Sequence, residues 1–144
     1  MRFRIHRQWE ETKLGALARS RDFRWMHRRE LKEIAVFLDE TTAPAGVVLI
    51  AEGLRNCSFF LLISGVLEST QGGRHKAFLH PVETCGEIGV GTGDLARATI
   101  VTVTPVRLLV AAEDQNRELG HRMASHANRR AARVPTRILV PNPA

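Results

Sequence analysis

The sequence is short of several things, and each shortage removes a class of function. No run approaches the roughly 18 apolar residues that a membrane span needs. The N-terminal stretch MRFRIHRQWEETK lacks the apolar core of a secretion signal, so the cytoplasm is the expected location. Cysteine occurs only as Cys57 and Cys85, which gives no disulfide framework. Neither stands in a CxxC pair, and both read as small buried residues. There is no HxH pair. His75 and His80 stand five apart, as do His121 and His126, not the four that places two imidazoles on one helical face, so no metal is expected. Ser58, Ser64 and Ser69 have no nucleophile motif around them, and no paired acids suggest hydrolysis. The chain therefore reads as a binding module and not as an enzyme. It also has no internal repeat and no low-complexity tract.

What remains is ordinary globular material. The 144 residues, 44% of them hydrophobic, suit one domain around one core. The formal charge of +6 invites a nucleic-acid reading until it is located. Residues 1–33 carry ten basic against five acidic side chains, residues 34–112 five against seven, and residues 113–144 six against three. The excess thus sits at the two ends, around a slightly acidic middle. Arg-rich helical ends are first of all solvated faces, and aromatics for stacking on bases are scarce there, so DNA is not an expected partner.

The same three regions differ in pattern. Residues 6–38 read as helical: Trp9, Leu14, Leu17 and Ala18 form one apolar stripe, and Leu31, Ile34, Ala35 and Leu38 another. Ser20-Arg21-Asp22-Phe23 separates them. In the middle, Val47-Val48-Leu49-Ile50 and Phe59-Phe60-Leu61-Leu62-Ile63 are β-type runs, and residues 66–70 and 74–79 flank Gln71-Gly72-Gly73 as a hairpin. Residues 99–110 are rich in β-branched side chains and broken at Pro105, and Val101 and Val103 alternate with Thr102 and Thr104 as in a half-buried strand. Short strands with regular glycine turns predict a small β sandwich or barrel. Leu119, Met123 and Ala127 then mark one face of a helix from about 113 to 132, which Pro135 should stop. The tail, 136–144, holds Ile138-Leu139-Val140 as an extra strand or a free end.

The segment that carries chemistry is Cys85-Gly86-Glu87-Ile88-Gly89-Val90-Gly91-Thr92-Gly93-Asp94-Leu95-Ala96-Arg97-Ala98-Thr99. Glycines let backbone N–H groups approach an anion closely, because no Cβ blocks them. A short helix starting near Gly89 would turn its N-terminus to the same anion. Arg97 can make a bidentate, charge-assisted pair with a phosphate, and Glu87 can accept a hydrogen bond from a sugar hydroxyl. Together these suit a small phosphorylated sugar compound. The competing structural account pairs Arg97 with Glu87 or Asp94 and leaves the glycines as turns. The string from Gly91 to Ala96 also matches the dinucleotide fingerprint GxGxxA, but that pattern needs a helix next, and residues 98–110 read as strand.

These residues resemble the cyclic nucleotide-binding domain, the module shared by bacterial catabolite-activator-type regulators and the regulatory subunits of cyclic-AMP-dependent protein kinases. The family's phosphate-binding cassette runs from a Gly-Glu pair through a short helix to an Arg, then a small residue and a strand. Here Gly86-Glu87 leads to Arg97-Ala98-Thr99-Ile100-Val101. Upstream, Gly46, Ile50, Glu52-Gly53, Phe60, Ile63 and Gly65 stand at the family's positions, and Phe23 and Leu31 match its helical lead-in. The resemblance covers roughly residues 23–119. It implies a mainly β fold with flanking helices, a double-stranded β-helix or jelly-roll-like β-roll. It implies a single domain over 1–144, with an N-terminal helical segment (1–38), the β-roll (39–112) containing the cassette (86–99), a C-terminal helix (113–133) and a tail (134–144).

The resemblance also implies a site formed by Gly86, Glu87, Ile88, Gly89, Arg97, Ala98 and Thr99. Arg97 would meet the exocyclic oxygens of a cyclic phosphate, Glu87 the ribose 2′-hydroxyl, and the N–H groups of Gly89 and Ala98 would complete the cradle. Relatives that prefer cyclic GMP often carry Thr after the Arg. Ala98 has no hydroxyl, which favours cAMP over cGMP as the ligand, with no cofactor besides. The helix after 113 would act as a lid, with Arg122, Met123 and His126 as candidates for contact with the base. Two departures stand out. Asn56-Cys57 replaces the family's Gly-Asp pair, whose acid supports the cassette Arg. Gly89, Gly91 and Gly93 also loosen the cassette helix, at about 1 kcal/mol per glycine against alanine. Only 25 residues follow Leu119, too few for the DNA-binding domain of the bacterial regulators, so a signal is expected to leave through a homodimer or a partner protein. The alternative function is the same fold with an unused pocket, contacting protein or nucleic acid through its basic ends. A third is a carbohydrate- or metal-binding jelly roll with enzymatic activity.

Overall fold

The computed structural model describes residues 12–89 and 94–132. The tail, Trp9, Pro135 and the cassette helix expected just after Gly89 lie outside them. Residues 12–19 form helix α1, residues 20–26 are turns, and α2 spans Arg28–Ala35. Eight strands follow: β1 (Asp39–Ala43), β2 (Val48–Ile50), β3 (Phe59–Ser64), β4 (Leu67–Gln71), β5 (Arg74–Leu79), β6 (Thr84–Cys85), β7 (Thr99–Thr102) and β8 (Val106–Ala111). Helix α3, Glu113–Ala132, closes the series. The strands make two antiparallel sheets, ordered β1-β8-β3-β6 and β2-β7-β4-β5. This is a β-roll flanked by helices, as the sequence led us to expect. None of the described helices is long and apolar enough to cross a membrane.

The run Phe59 to Leu62 is apolar without alternation because both faces of β3 are covered. Phe60 and Leu62 point between the sheets, where they pack with Ile50, Leu67, Ile100 and Leu108. Phe59 and Leu61 point outward into a second core built with Leu17, Phe23, Ile34, Leu38 and Leu119 of the helical segments. Phe23 meets Phe59 edge-to-face, with ring centroids 5.8 Å apart. The hairpin between β4 and β5 turns at Gly72-Gly73, where both φ angles are positive, as a two-residue turn of this hand requires.

Two expectations about facing are corrected. In β7 the buried side chains are Ile100 and Thr102, while Val103, just past the end of the strand, is exposed. Thr102 can sit inside because its hydroxyl is satisfied: it accepts the Val47 N–H at 2.8 Å and donates to the Pro44 carbonyl at 2.7 Å. The loop before β2 therefore folds over this end of the strand. In α3 the inward stripe is Asn116, Leu119, Met123 and His126, and Ala127 is exposed. Two polar residues on that stripe hid its true direction.

His126 links the two helical ends. Its Nδ1 lies 2.9 Å from Glu30 Oε2, and Glu33 Oε2 lies 3.0 Å from Nε2, off the hydrogen-bonding direction. Arg130 pairs with Glu30 and lays its guanidinium 5.1 Å from the centre of the Trp25 ring. Burial pushes the Glu30 carboxyl up, but the His27 backbone N–H, Arg130 and His126 outweigh it and hold Glu30 below its ordinary value of 4.5. A depressed carboxylate contributes stability that is present at neutral pH and lost as pH falls through the folded value. Glu30→Gln is therefore expected to lower the melting temperature at neutral pH and to flatten the acid side of the stability curve. A variant whose acid limb matches wild type would remove Glu30 from the α2–α3 contact.

Candidate functional site

The loop after β2 is zipped to the segment before β7. The Gly53 N–H donates to the Ala96 carbonyl at 2.9 Å, the Ala96 N–H to the Leu54 carbonyl at 2.8 Å, and Arg55 bridges Leu95. On the other side of the roll, β6 leads into Gly86. There φ is +82°, and a Cβ would come 2.4 Å from the Ser58 carbonyl oxygen, so only glycine fits. Asn56 shapes the same corner: its side chain donates to the Ser58 carbonyl at 2.8 Å and accepts the Ser58 N–H at 3.3 Å. Between these loops lies a cavity of about 470 Å³, with Ile50 and Ile100 of the inter-sheet core among its lining.

Five of the seven residues singled out from the sequence line this cavity: Gly86, Glu87, Gly89, Arg97 and Ala98. Ile88 and Thr99 do not. Ile88 packs against the outer core, and the Thr99 hydroxyl accepts the Glu52 N–H at 3.0 Å, which ties the loop after β2 to the start of β7. Among the described residues no ion pair joins Arg97 to Glu87 or Asp94, although both acids line the same cavity. The structural account of Arg97 as one half of a salt bridge is thus not what the geometry shows. None of the candidate base contacts on α3 lines the cavity: Met123 packs on the core, His126 is buried against Glu30, and Arg122 is exposed.

Arg55 is a lining residue that sequence reasoning missed. It adds a second arginine to the cavity lining, two residues before Cys57, which stands at the position of the family's acid. An exposed Arg in a turn carries no periodic signal, and only the pairing with Leu95 turns that loop inward. Cys57 and Cys85 line the cavity as well, and burial pushes the Cys85 thiol up to about 12, which keeps it protonated and poorly nucleophilic at neutral pH. Among the described residues no cluster of metal-ligating side chains occurs.

Behind the cavity, α3 touches the cassette directly. Asn116 is fully buried, and its Oδ1 accepts the Gly89 N–H at 2.8 Å. Its Nδ2 donates to the carbonyls of Cys57 (3.0 Å), Glu87 (2.9 Å) and Gly89 (3.2 Å). One turn on, a Cβ at Gly120 would come 2.7 Å from the Gly89 Cα. The signal for both was present in the sequence: a polar residue three before Leu119 on an inward stripe, followed by a glycine within a helix, where glycine is disfavoured.

Fold and cavity define a class. The model of the cyclic nucleotide-binding domain family matches residues 40–122, and the chain belongs to that family. It is similar in structure to the regulatory domain of Toxoplasma gondii PKA in co-crystal with cAMP, with a TM-score of 0.71 at 19% identity, covering 87% of this chain and 49% of that one. It is similar to PKAR CBD2 with bound Sp-2Cl-cAMPS, with a TM-score of 0.69 at 18% identity over 85% of this chain and 86% of that one. The C-linker/CNBHD of zELK channels gives a TM-score of 0.61 at 18% identity, with 73% of this chain and 60% of that one covered. At such identities the likeness shows the fold. The chain spans about half the length of the Toxoplasma chain it matches. A search of curated proteins by sequence found no match.

Proposed function

We propose that the cavity binds a cyclic nucleotide, cAMP ahead of cGMP, and that the chain is a regulatory module whose helices respond to occupancy. The observation that carries this reading is the gathering of Glu87, Arg97, Ala98 and the Gly86–Gly89 backbone around one cavity, in a member of this family. Arg97 has no ion pair among the described residues and is free to meet a phosphate, and Glu87 is free to accept a ribose hydroxyl. Ile50 and Ile100 offer the apolar surface that the rest of the ligand needs. The neighbours found with cAMP or a cAMP analogue bound support the same class of ligand. The signal passes to a partner protein or a second copy of the chain.

Calorimetric titration with cAMP and cGMP tests this. Micromolar or tighter cAMP binding is expected, and cGMP weaker. Ala98→Thr restores a hydroxyl beside the cassette Arg and should narrow the gap by raising cGMP affinity about tenfold, the effect of one good hydrogen bond to the ligand. No binding of either nucleotide at millimolar concentration sinks the proposal and leaves the module with an unused pocket. Salt-dependent binding to random DNA would then favour contact through the basic ends.

A further inference from the structure

The Gly89 N–H has a partner already, and this matters for the site. A backbone amide carries one proton, and here it is given to Asn116 Oδ1 at 2.8 Å. On the reading proposed above, on which this inference rests, that same N–H belongs to the phosphate cradle. Both partners cannot hold it at full strength. Asn116 is no stray surface group. It is fully buried, it bonds three carbonyls of the cavity's own backbone, and it sits on the first turns of α3, with Gly120 resting on Gly89 one turn later.

We infer that Asn116 is a positioning residue of the nucleotide site: a latch whose Oδ1 holds the Gly89 N–H, and with it α3, until the ligand phosphate takes that donor. The competition is specific to Oδ1. The bonds from Nδ2 to the Cys57 and Glu87 carbonyls are not contested by an anion, because an anion accepts and does not donate. Asn116 therefore has two separable roles, a structural one through Nδ2 and a regulatory one through Oδ1. Linkage gives the direction of control: whatever loosens Asn116 from Gly89 tightens ligand binding, and ligand binding loosens α3 to the same degree. The links from α3 to α2 through His126 and Glu30 carry a shift of α3 to the N-terminal helical segment.

The two roles predict opposite effects in one variant. Asn116→Ala should melt earlier, because carbonyls at Cys57 and Glu87 lose their donor. It should nevertheless bind cAMP about two- to tenfold more tightly, because the competitor for the Gly89 N–H is gone. A residue with only a structural role would lose stability and gain no affinity. A second measurement does not depend on the variant folding. In isotope-labelled wild type, the side-chain amide signals of Asn116 and the backbone amide signal of Gly89 should move together as cAMP is added. Binding of cAMP with the Asn116 signals unmoved, or an alanine variant of equal or lower affinity, overturns the latch and leaves the proposed pocket intact. Absence of cAMP binding by wild type and variant alike overturns the pocket, and the latch with it.

Discussion

Arg97→Ala is expected to lower cAMP affinity by about 2–5 kcal/mol while leaving the melting temperature of the unliganded protein nearly unchanged. The first half follows from the ligand. A cyclic phosphate keeps one negative charge at every physiological pH, and on the proposed reading it enters a cavity whose lining sets Ile50, Ile100 and glycine backbone beside charged groups, where part of its water is displaced. An anion left there without its counter-charge loses what a desolvated, hydrogen-bonded charge pair supplies, about 2–5 kcal/mol. The second half follows from the structure. Arg97 is exposed and joins no ion pair among the described residues, so its removal breaks none of them, and such substitutions shift stability by about 0.5 kcal/mol or less. Calorimetry and a thermal melt on the same preparation check both. An unchanged dissociation constant would remove Arg97 from the site. A large drop in melting temperature would make it a structural residue after all. Arg97→Lys is an informative companion: it keeps the charge but loses the planar fork, and should recover only part of the loss. Arg55 also lines the cavity, so a residual affinity in Arg97→Ala has a ready source.

The residues from which the sequence was most legible are those whose chemistry acts locally. The turn at Gly72-Gly73 and the positive φ at Gly86 are properties of their own backbone and could be read without a partner in view, whereas the Ser58 carbonyl that bars a Cβ at 86 could not. The stripe of Leu31, Ile34 and Ala35 is likewise a property of one helix against one surface, and Leu38 stays buried three residues past the end of α2. Tertiary satisfaction is what misled. Thr102 turns inward because Val47 and Pro44, more than fifty residues away in sequence, supply its hydrogen bonds. Asn116 sits in the core because four backbone groups meet its amide, three from the cassette and one from Cys57. Periodicity treats such residues as outward-facing, since burying an unpaired amide or hydroxyl costs several kcal/mol. Their partners cannot be seen from one segment alone. The cassette wall of the cavity was legible as a set of residues in one segment, five of which line it. The second wall, with Arg55 and Asn56, was not, because it depends on the pairing of two loops some forty residues apart.

Phe23→Ala should destabilise the fold by about 3–5 kcal/mol, the range for removing a fully buried aromatic side chain from a core. Phe23 has no exposed surface, and its ring meets Phe59 edge-to-face at 81°. It lies in the turn between α1 and α2, so it pins the N-terminal helical segment to the outer face of the sheet that contains β3. Domains of this size unfold with about 5–15 kcal/mol, so the loss is a large part of the total. In a urea titration the midpoint should fall with the slope unchanged, because the same surface is still exposed on unfolding. The cavity faces the other core, and Phe60, not Phe59, points into that one. The folded fraction of Phe23→Ala should therefore bind cAMP with nearly wild-type affinity, and saturating cAMP should restore part of the lost melting temperature by binding only the folded state. A lowered slope would mean something different. It would show that the helical segment detaches before the β-roll unfolds, which would make it a unit of its own and place the contact of α2 with α3 at the boundary between the two.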